Sequence, residues 1–355
     1  MKLDTKIIND IREVNAGQWN NVVKQSDAGS VFHRYEWLQA IQEGIGLKPK
    51  HIIVEKNGNP VGICSNFITQ ANAPDILIKH FNNFVPKKLI SVNPGFGGPI
   101  AVGKKGPILD QVIKSISSIN ATGVISHEMH MIDTNVLGYS RYLQDKGYQS
   151  SLMHCRFIIN LNKGWTKIKR DMAKERRKNI RRVEESEVAV KSEELSDHNL
   201  ASFYDKYKHT MKRVNGTAYP ISFFKLVRDY MDERVKIFTA ILDGESIGSL
   251  FYTLDKERSS LHYFFAGIEQ QYLKHYPYEA VHAHAIQWGI RENYDTYDFG
   301  ESSANLDDGA FNYKRKFGAE MIPTLSWEKG ISSISWNAYR LSRNLYRRRT
   351  GVLLD

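Results

Sequence analysis

The stretch Val235 to Thr253 reads "VKIFTAILDGESIGSLFYT", and His51 to Thr69 reads "HIIVEKNGNPVGICSNFIT". In each, β-branched and aromatic residues stand on both sides of a tight D-G or N-G step, the strongest short-range signal for a β-hairpin. The glycines keep one spacing, since Gly58 and Gly244 are 186 residues apart and so are Gly62 and Gly248. Trp37 and Phe223 hold the same offset inside two helix-like aromatic stretches upstream, "VFHRYEWLQAIQEG" and "ISFFKLVRDYM". Hairpins alone are common. Matching hairpins after matching helices read as a duplicated domain.

After the second hairpin come a strand, "SSLHYFFAGI", a helix, "YPYEAVHAHAIQWGIREN", and a strand, "YDTYDFG". The first copy is less regular: "LISVNPGFGGPIAVG" is glycine-rich where the second has a strand, and the helix "ILDQVIKSISSI" and strand "GVISHEMHMID" follow. A break falls near Lys146 to His154. The expected fold class is α+β, with residues 1–150 and 151–330 as two domains, each a mixed central sheet flanked by helices. Residues 331–355 form a basic amphipathic C-terminal helix.

The length of 355 residues and a 41% hydrophobic content suit two domains. A formal net charge of +10 points to a polyanionic partner such as nucleic acid, a phosphorylated substrate or an anionic membrane surface. Cys64 and Cys155 stand far apart without metal-ligand spacing, so no zinc site, no disulfide framework and no metal are expected. The charged start "MKLDTKIINDIREV" lacks a signal-peptide apolar core, and no run reaches the ~18 apolar residues of a spanning helix. A cytoplasmic monomer is expected, at most peripheral on the inner face of the membrane.

Two stretches carry the chemistry. "YDFG" ends a strand, where α/β sheets bind ligands, and "ESSANLDDGAFNYKRKFG" (Glu301 to Gly318) then offers carboxylates followed by cations among aromatics. "KGWTKIKRDMAKERRKNIRRVEESEVAV" (Lys163 to Val190) holds ten Lys or Arg against two acids between Lys163 and Arg182. Ile168, Met172, Ile180 and Val183 lie on one helical face of it, and so single-signed a run does not neutralise itself by internal pairing. It reads either as an anion-binding surface or as a solvated face.

The order of basic helix "RRKNIRR", hairpin "DGESIG", helix, "YDFG" and "GAFNYKRKFG" resembles the Fem-type branch of the GNAT acyltransferase superfamily, over nearly the whole chain. That resemblance implies two tandem GNAT-like domains and transfer of an acetyl, other acyl or aminoacyl group to an amine. The acceptor it implies is a phosphorylated or lipid-linked cell-envelope or sugar-type precursor. In the aromatic-x-aromatic-K-x-x-aromatic-G pattern, here Phe311, Tyr313, Lys314, Phe317 and Gly318, the family lysine contacts substrate phosphate or the reacting carbonyl region, a role that passes to Lys314. The family's R-x-N-I-R run falls on Arg177, Asn179, Ile180 and Arg181. After "FFAG" the chain has no Q/R-x-x-G-x-G/A loop of the kind that cradles the CoA pyrophosphate. The donor thus stays open between acyl-CoA and aminoacyl-tRNA, with tRNA as a partner in the second case.

Acyl transfer needs a positioned amine, removal of its proton and stabilisation of the oxyanion. Lys314 suits the charge, and Tyr313 either packs on the substrate or donates a proton. Asp298 and Glu301 are the candidate bases, each with the alternative of capping a turn or pairing with the lysines. Phe311 and Phe317 are expected at the substrate, and Arg177 and Arg181, one turn apart, at its phosphates. His282 and His284 fall on different helical faces and share no metal. A non-catalytic nucleic-acid or anionic-surface binding protein would also account for the charge, although no RNP-like or GXXG signature supports RNA recognition.

In the tail, Ile334, Ala338, Leu341 and Leu345 make one apolar stripe, and Arg340, Arg343, Arg347, Arg348 and Arg349 supply cations without an acid between Ile331 and Leu354. The tail reads as a helix packed on the second domain or as an amphipathic anchor on an anionic leaflet.

Overall fold

The computed structural model describes residues 2–71, 86–119, 121–132 and 134–350, excepting the side chains of 134–136, 333, 344 and 346–350. Residues 351–355 of the expected tail lie outside the described residues. The chain forms two compact units, Met1–Ser151 with Leu325–Asp355, and Leu152–Thr324.

Both hairpins form. Asn57 and Gly58, like Asp243 and Gly244, have positive φ at both central positions of the turn, with values of 51° and 78°, and 52° and 81°. That is the geometry whose twist matches a two-residue hairpin. The ladder also breaks register at the same place in each copy, between Val54 and Glu55 and between Ala240 and Ile241. Val54 and Ala240 are again 186 apart and face Gly62 and Gly248. Trp37 and Phe223 are both fully buried on their helices, Tyr35–Ala40 and Ile221–Met231.

In the second unit one mixed sheet of seven strands runs Ala189–Glu193, Val235–Leu242, Glu245–Asp255, Ser260–Ile268, Thr296–Ser303, His154–Asn160 and Glu320–Pro323. Every neighbouring pair is antiparallel except Ser260–Ile268 with Thr296–Ser303. The crossover between these two parallel strands contains the helix Pro277–Arg291, as parallel pairing requires. Its inward side chains Val281, Ala285 and Ile286 belong to one buried core with Tyr252, Leu261 and Phe299.

In the first unit the same order is divided between two sheets. One holds Asp4–Ile8, His51–Lys56, Asn59–Cys64 and Pro99–Ala101; the other holds Lys48–Pro49, Phe67–Gln70, Lys87–Ile90, Val124–Met131, Leu325–Gly330 and Gln149–Ser151. The division falls at Ser65 and Asn66, where the second copy has the uninterrupted strand Glu245–Asp255. Asn66 explains the break. Its side chain bonds His127 Nε2 at 2.9 Å and donates to the Cys64 carbonyl at 3.1 Å, and its N–H donates to His51 Nδ1 at 3.0 Å. These bonds replace ladder pairing.

Residues 325–330, expected with the second domain, pair instead along their whole length with Val124–Met131 and also with Gln149–Ser151. Pro323, without an N–H, ends the preceding strand, and Leu325 and Trp327 are buried in the first unit's sheet. Strand partners are chosen by such burial, which nearness in sequence does not reveal. The C-terminal helix Ser333–Thr350 belongs to the first unit too, not to the second domain.

Candidate active site

The parallel strands of the second unit pair only at Ser260 to His262 with Thr296 to Asp298. Beyond that point the first strand stays with Glu245–Asp255 as far as Ile268, and the second stays with His154–Asn160 as far as Ser303. The sheet therefore opens at the carboxyl ends of its two parallel strands, the place where α/β sheets bind ligands. Gly300 stands at the opening with φ +69°, and a Cβ there would lie 2.8 Å from the Tyr263 carbonyl oxygen. No other residue fits that approach.

Lys314 reaches this opening. The basic-aromatic stretch that follows forms a short helix, Gly309–Arg315, because the Asp308 carboxylate caps it by accepting the Phe311 N–H at 2.6 Å. Phe311 and Lys314, three apart, consequently share its inward face. Lys314 is only 7% exposed, and its ammonium donates to the carbonyls of Gly300 at 3.2 Å and Glu301 at 2.7 Å. It also lies 5.9 Å from the centre of the Tyr263 ring, on the other strand of the pair. Burial lowers its pKa to about 8, against the opposing pull of Asp298 and Glu301.

Tyr313 stands beside it with its hydroxyl buried and without a hydrogen-bond partner among the described residues. Burial, reinforced by Glu279, raises that phenol well above its ordinary value, so it stays protonated. Glu301 Oε1 is likewise buried and unbonded among the described residues. Asp298 sits deeper, paired with Arg156 and 3.1 Å from His262 Nδ1, and it accepts the Gly300 N–H at 2.8 Å. Burial alone would raise its carboxyl, but Arg156, His262 and the Gly300 N–H outweigh it and hold the pKa well below the carboxylate range. That environment suits a fixed anion rather than a proton acceptor.

Phe311 and Phe317, expected at the substrate, are core side chains. Phe311 packs edge-on against Phe157 and Phe317 lies 4.8 Å from Phe299, with 5% and 0% of their surface exposed. An aromatic spacing that suits a ligand platform also suits a helix burying one side, and here burial won. The arginine pair is divided as well. Arg177 donates to the carbonyls of Arg170 and Met172, closing the end of the helix Trp165–Asp171, whereas Arg181 is exposed.

Residues 169–315 match the family model of the acetyltransferase (GNAT) domain. The chain has a tandem GNAT fold. Similar solved structures run nearly end to end with it. FemX shares 11% identity at a TM-score of 0.70, over 95% of this chain and 99% of its own. The C-terminal domain of a putative lysylphosphatidylglycerol synthetase from Agrobacterium fabrum shares 10% at 0.59, over 93% and 95%. A tandem GNAT protein from the clavulanic acid biosynthesis pathway shares 9% at 0.58, over 93% and 99%. Among curated proteins none matches the sequence.

Within the GNAT domain the sequence reading missed Arg176 and Glu279, gave Asn179 only a place in the family's run, and set His282 aside. On the helix Lys174–Glu184, Arg176 is buried, paired with Glu279, and stacked over Tyr313 at 4.1 Å and Phe317 at 4.7 Å. Asn179 donates to the same carboxylate at 3.1 Å. His282 Nδ1 and the Tyr297 hydroxyl are 2.5 Å apart, and Tyr297 meets Tyr252 at 3.0 Å. Burial, with Arg176 and Lys314 adding to it, keeps His282 neutral. The signal was present: Ile180 marks the buried face, and Arg176 stands four residues before it. Glu279 and His282 are three apart and share a face in the same way. No group of three His, Cys, Asp or Glu among the described residues is placed to hold a metal ion.

Proposed function

We propose that this protein is an N-acyltransferase that moves an acyl or aminoacyl group from a carrier to an amine of a phosphorylated or lipid-linked cell-envelope precursor. The observation that carries the reading is the Lys314 ammonium, buried at the opening of the second unit's parallel strands. Among the described residues the first unit does not offer the same opening. Past its own parallel pair, Lys87–Ile90 with Val124–Met131, the chain fills the space itself: the Ser91 N–H donates to the Glu128 carbonyl at 2.9 Å and the Gly97 N–H to the His130 carbonyl at 2.7 Å. We therefore assign chemistry to the second unit.

In this mechanism the acceptor nitrogen attacks the acyl carbonyl, the C–N bond forms, and the bond from carbon to the carrier's sulfur or oxygen breaks. The amine proton passes to Glu301, whose Oε1 has no donor among the described residues, and then to the leaving thiol or hydroxyl. Lys314 stabilises the oxyanion, a contribution of about 3–4 kcal/mol for one well-aimed donor. Tyr313 adds a hydrogen bond. Asp298, tied to Arg156 and His262, positions the strand end that carries Gly300 and Glu301. Arg181 and neighbouring cations of the basic helix meet phosphates on the substrate.

The donor is acyl-CoA or an aminoacyl-tRNA. The tandem GNAT neighbour solved without AcCoA supports the first, and a putative lysylphosphatidylglycerol synthetase among the neighbours supports an aminoacyl donor and a lipid acceptor. The enzyme acts as a monomer at the inner face of the membrane. Mass spectrometry of protein isolated from its host, followed by transfer assays with labelled acetyl-CoA and aminoacyl-tRNA, tests the reading. Copurification or turnover of either carrier is expected. Tight, steeply salt-dependent RNA binding without any transfer would instead make it a binding protein.

A further inference from the structure

The C-terminal helix Ser333–Thr350 has two unlike faces. One docks it on the first unit. Trp336 is 8% exposed and lies so near Gly330 that a Cβ there would come within 2.3 Å of Trp336 Cδ1. Tyr339 stacks on Trp336 at 5.8 Å, and Arg343 pairs with Glu328 of the Leu325–Gly330 strand at 3.3 Å. The helix is thus held by aromatic and charged side chains. Its aliphatic ones are not used.

Ile334, Leu341 and Leu345 are 87%, 63% and 49% exposed. Spaced seven and four residues apart, they share one face, and Ala338, also exposed, continues it. A helix that only closed a core would bury this stripe. By sequence the helix carries five arginines, of which Arg343 is taken by Glu328, and the chain has no acidic residue between Ile331 and Leu354.

We propose that this outward stripe docks on an anionic lipid leaflet. Charge decides among the occupants. A second copy of this chain would bring two acid-free, arginine-rich helices together at the cost of like-charge repulsion. A nucleic acid would meet the arginines but give Ile334, Leu341 and Leu345 nothing apolar to enter. An anionic membrane surface supplies acyl chains for the stripe and headgroups for the cations, each nearby cation contributing favourably. Among the described residues no helix is long and apolar enough to cross a membrane, so the attachment is in the plane of the interface. It stands whether or not the second unit transfers acyl groups.

The full chain is tested by co-sedimentation with phosphatidylcholine vesicles, with and without phosphatidylglycerol. Removing the helix would strip Trp336 and Arg343 from the fold, so the variant used is Ile334→Ser/Leu341→Ser/Leu345→Ser, which alters the outward face alone. Wild-type protein should bind the anionic vesicles and not the neutral ones, and the variant should bind roughly tenfold or more weakly at an unchanged Tm and monomeric mass. Absence of wild-type binding at low salt, equal binding by the variant, or equal binding to neutral vesicles would overturn the proposal. So would concentration-dependent self-association that the variant abolishes.

Discussion

The Nζ of Lys314 lies 2.7 Å from the carbonyl oxygen of Glu301, on the strand whose parallel partner has just diverged. Lys314→Met should therefore remove about 3–4 kcal/mol of transition-state stabilisation, seen as a fall in kcat. Lys316, two residues on, pairs with Glu175 at 2.6 Å on the surface, and Lys316→Ala should change kcat little because such pairs contribute roughly 0–1 kcal/mol. Equal losses from the two substitutions would refute the assignment to Lys314.

With its pKa lowered by burial to about 8, Lys314 is an ammonium below that pH and an amine above it. If it acts as the cation, kcat/KM falls as pH rises through about 8. A guanidinium at the same position would stay charged, so any activity left in Lys314→Arg should lack this alkaline limb. A rate that climbs across the same range would make the neutral amine the working form and Lys314 a base.

Arg176 and Glu279 form a buried pair. Glu279→Ala leaves a guanidinium without its counter-charge and should cost about 3–5 kcal/mol of stability in urea denaturation, whereas Arg176→Met/Glu279→Leu should recover most of that loss. If the double variant is no better than the single one, the stacking of Arg176 on Tyr313 and Phe317 matters more than its charge.

Arg177→Ala and Arg181→Ala should separate. The first loses hydrogen bonds to the carbonyls of Arg170 and Met172 and should lower Tm. The second, an exposed side chain, should leave Tm unchanged, raise KM for a phosphorylated acceptor and flatten its salt dependence. An unchanged KM returns the basic run to a solvated face.

Asp298 is held ionised below its ordinary range in the folded chain. Its contribution to stability is thus present above the unfolded carboxylate pKa of about 4 and is lost as pH falls toward the folded value. Asp298→Asn should lower stability at neutral pH and shrink the acid-side slope of Tm. A slope equal to wild type would mean that other carboxylates govern acid unfolding.

Turn chemistry and repeat spacing were legible in the sequence because they are local. Asn57-Gly58 and Asp243-Gly244 encode the hairpins, and the 186-residue offset encodes the duplication, down to a shared break in register. The apolar stripe of the last helix was legible too, since helical period follows from spacing alone. The choice among competing partners came only from tertiary structure. The strand Leu325–Gly330 joins the first unit because its ladder with Val124–Met131 buries Trp327 there. Arg176 rather than Arg177 faces Glu279, and Phe311 and Phe317 turn into the core instead of toward a ligand. In each case the residue type permits two environments, and desolvation together with long-range contacts, none of which has a period in the sequence, selects one.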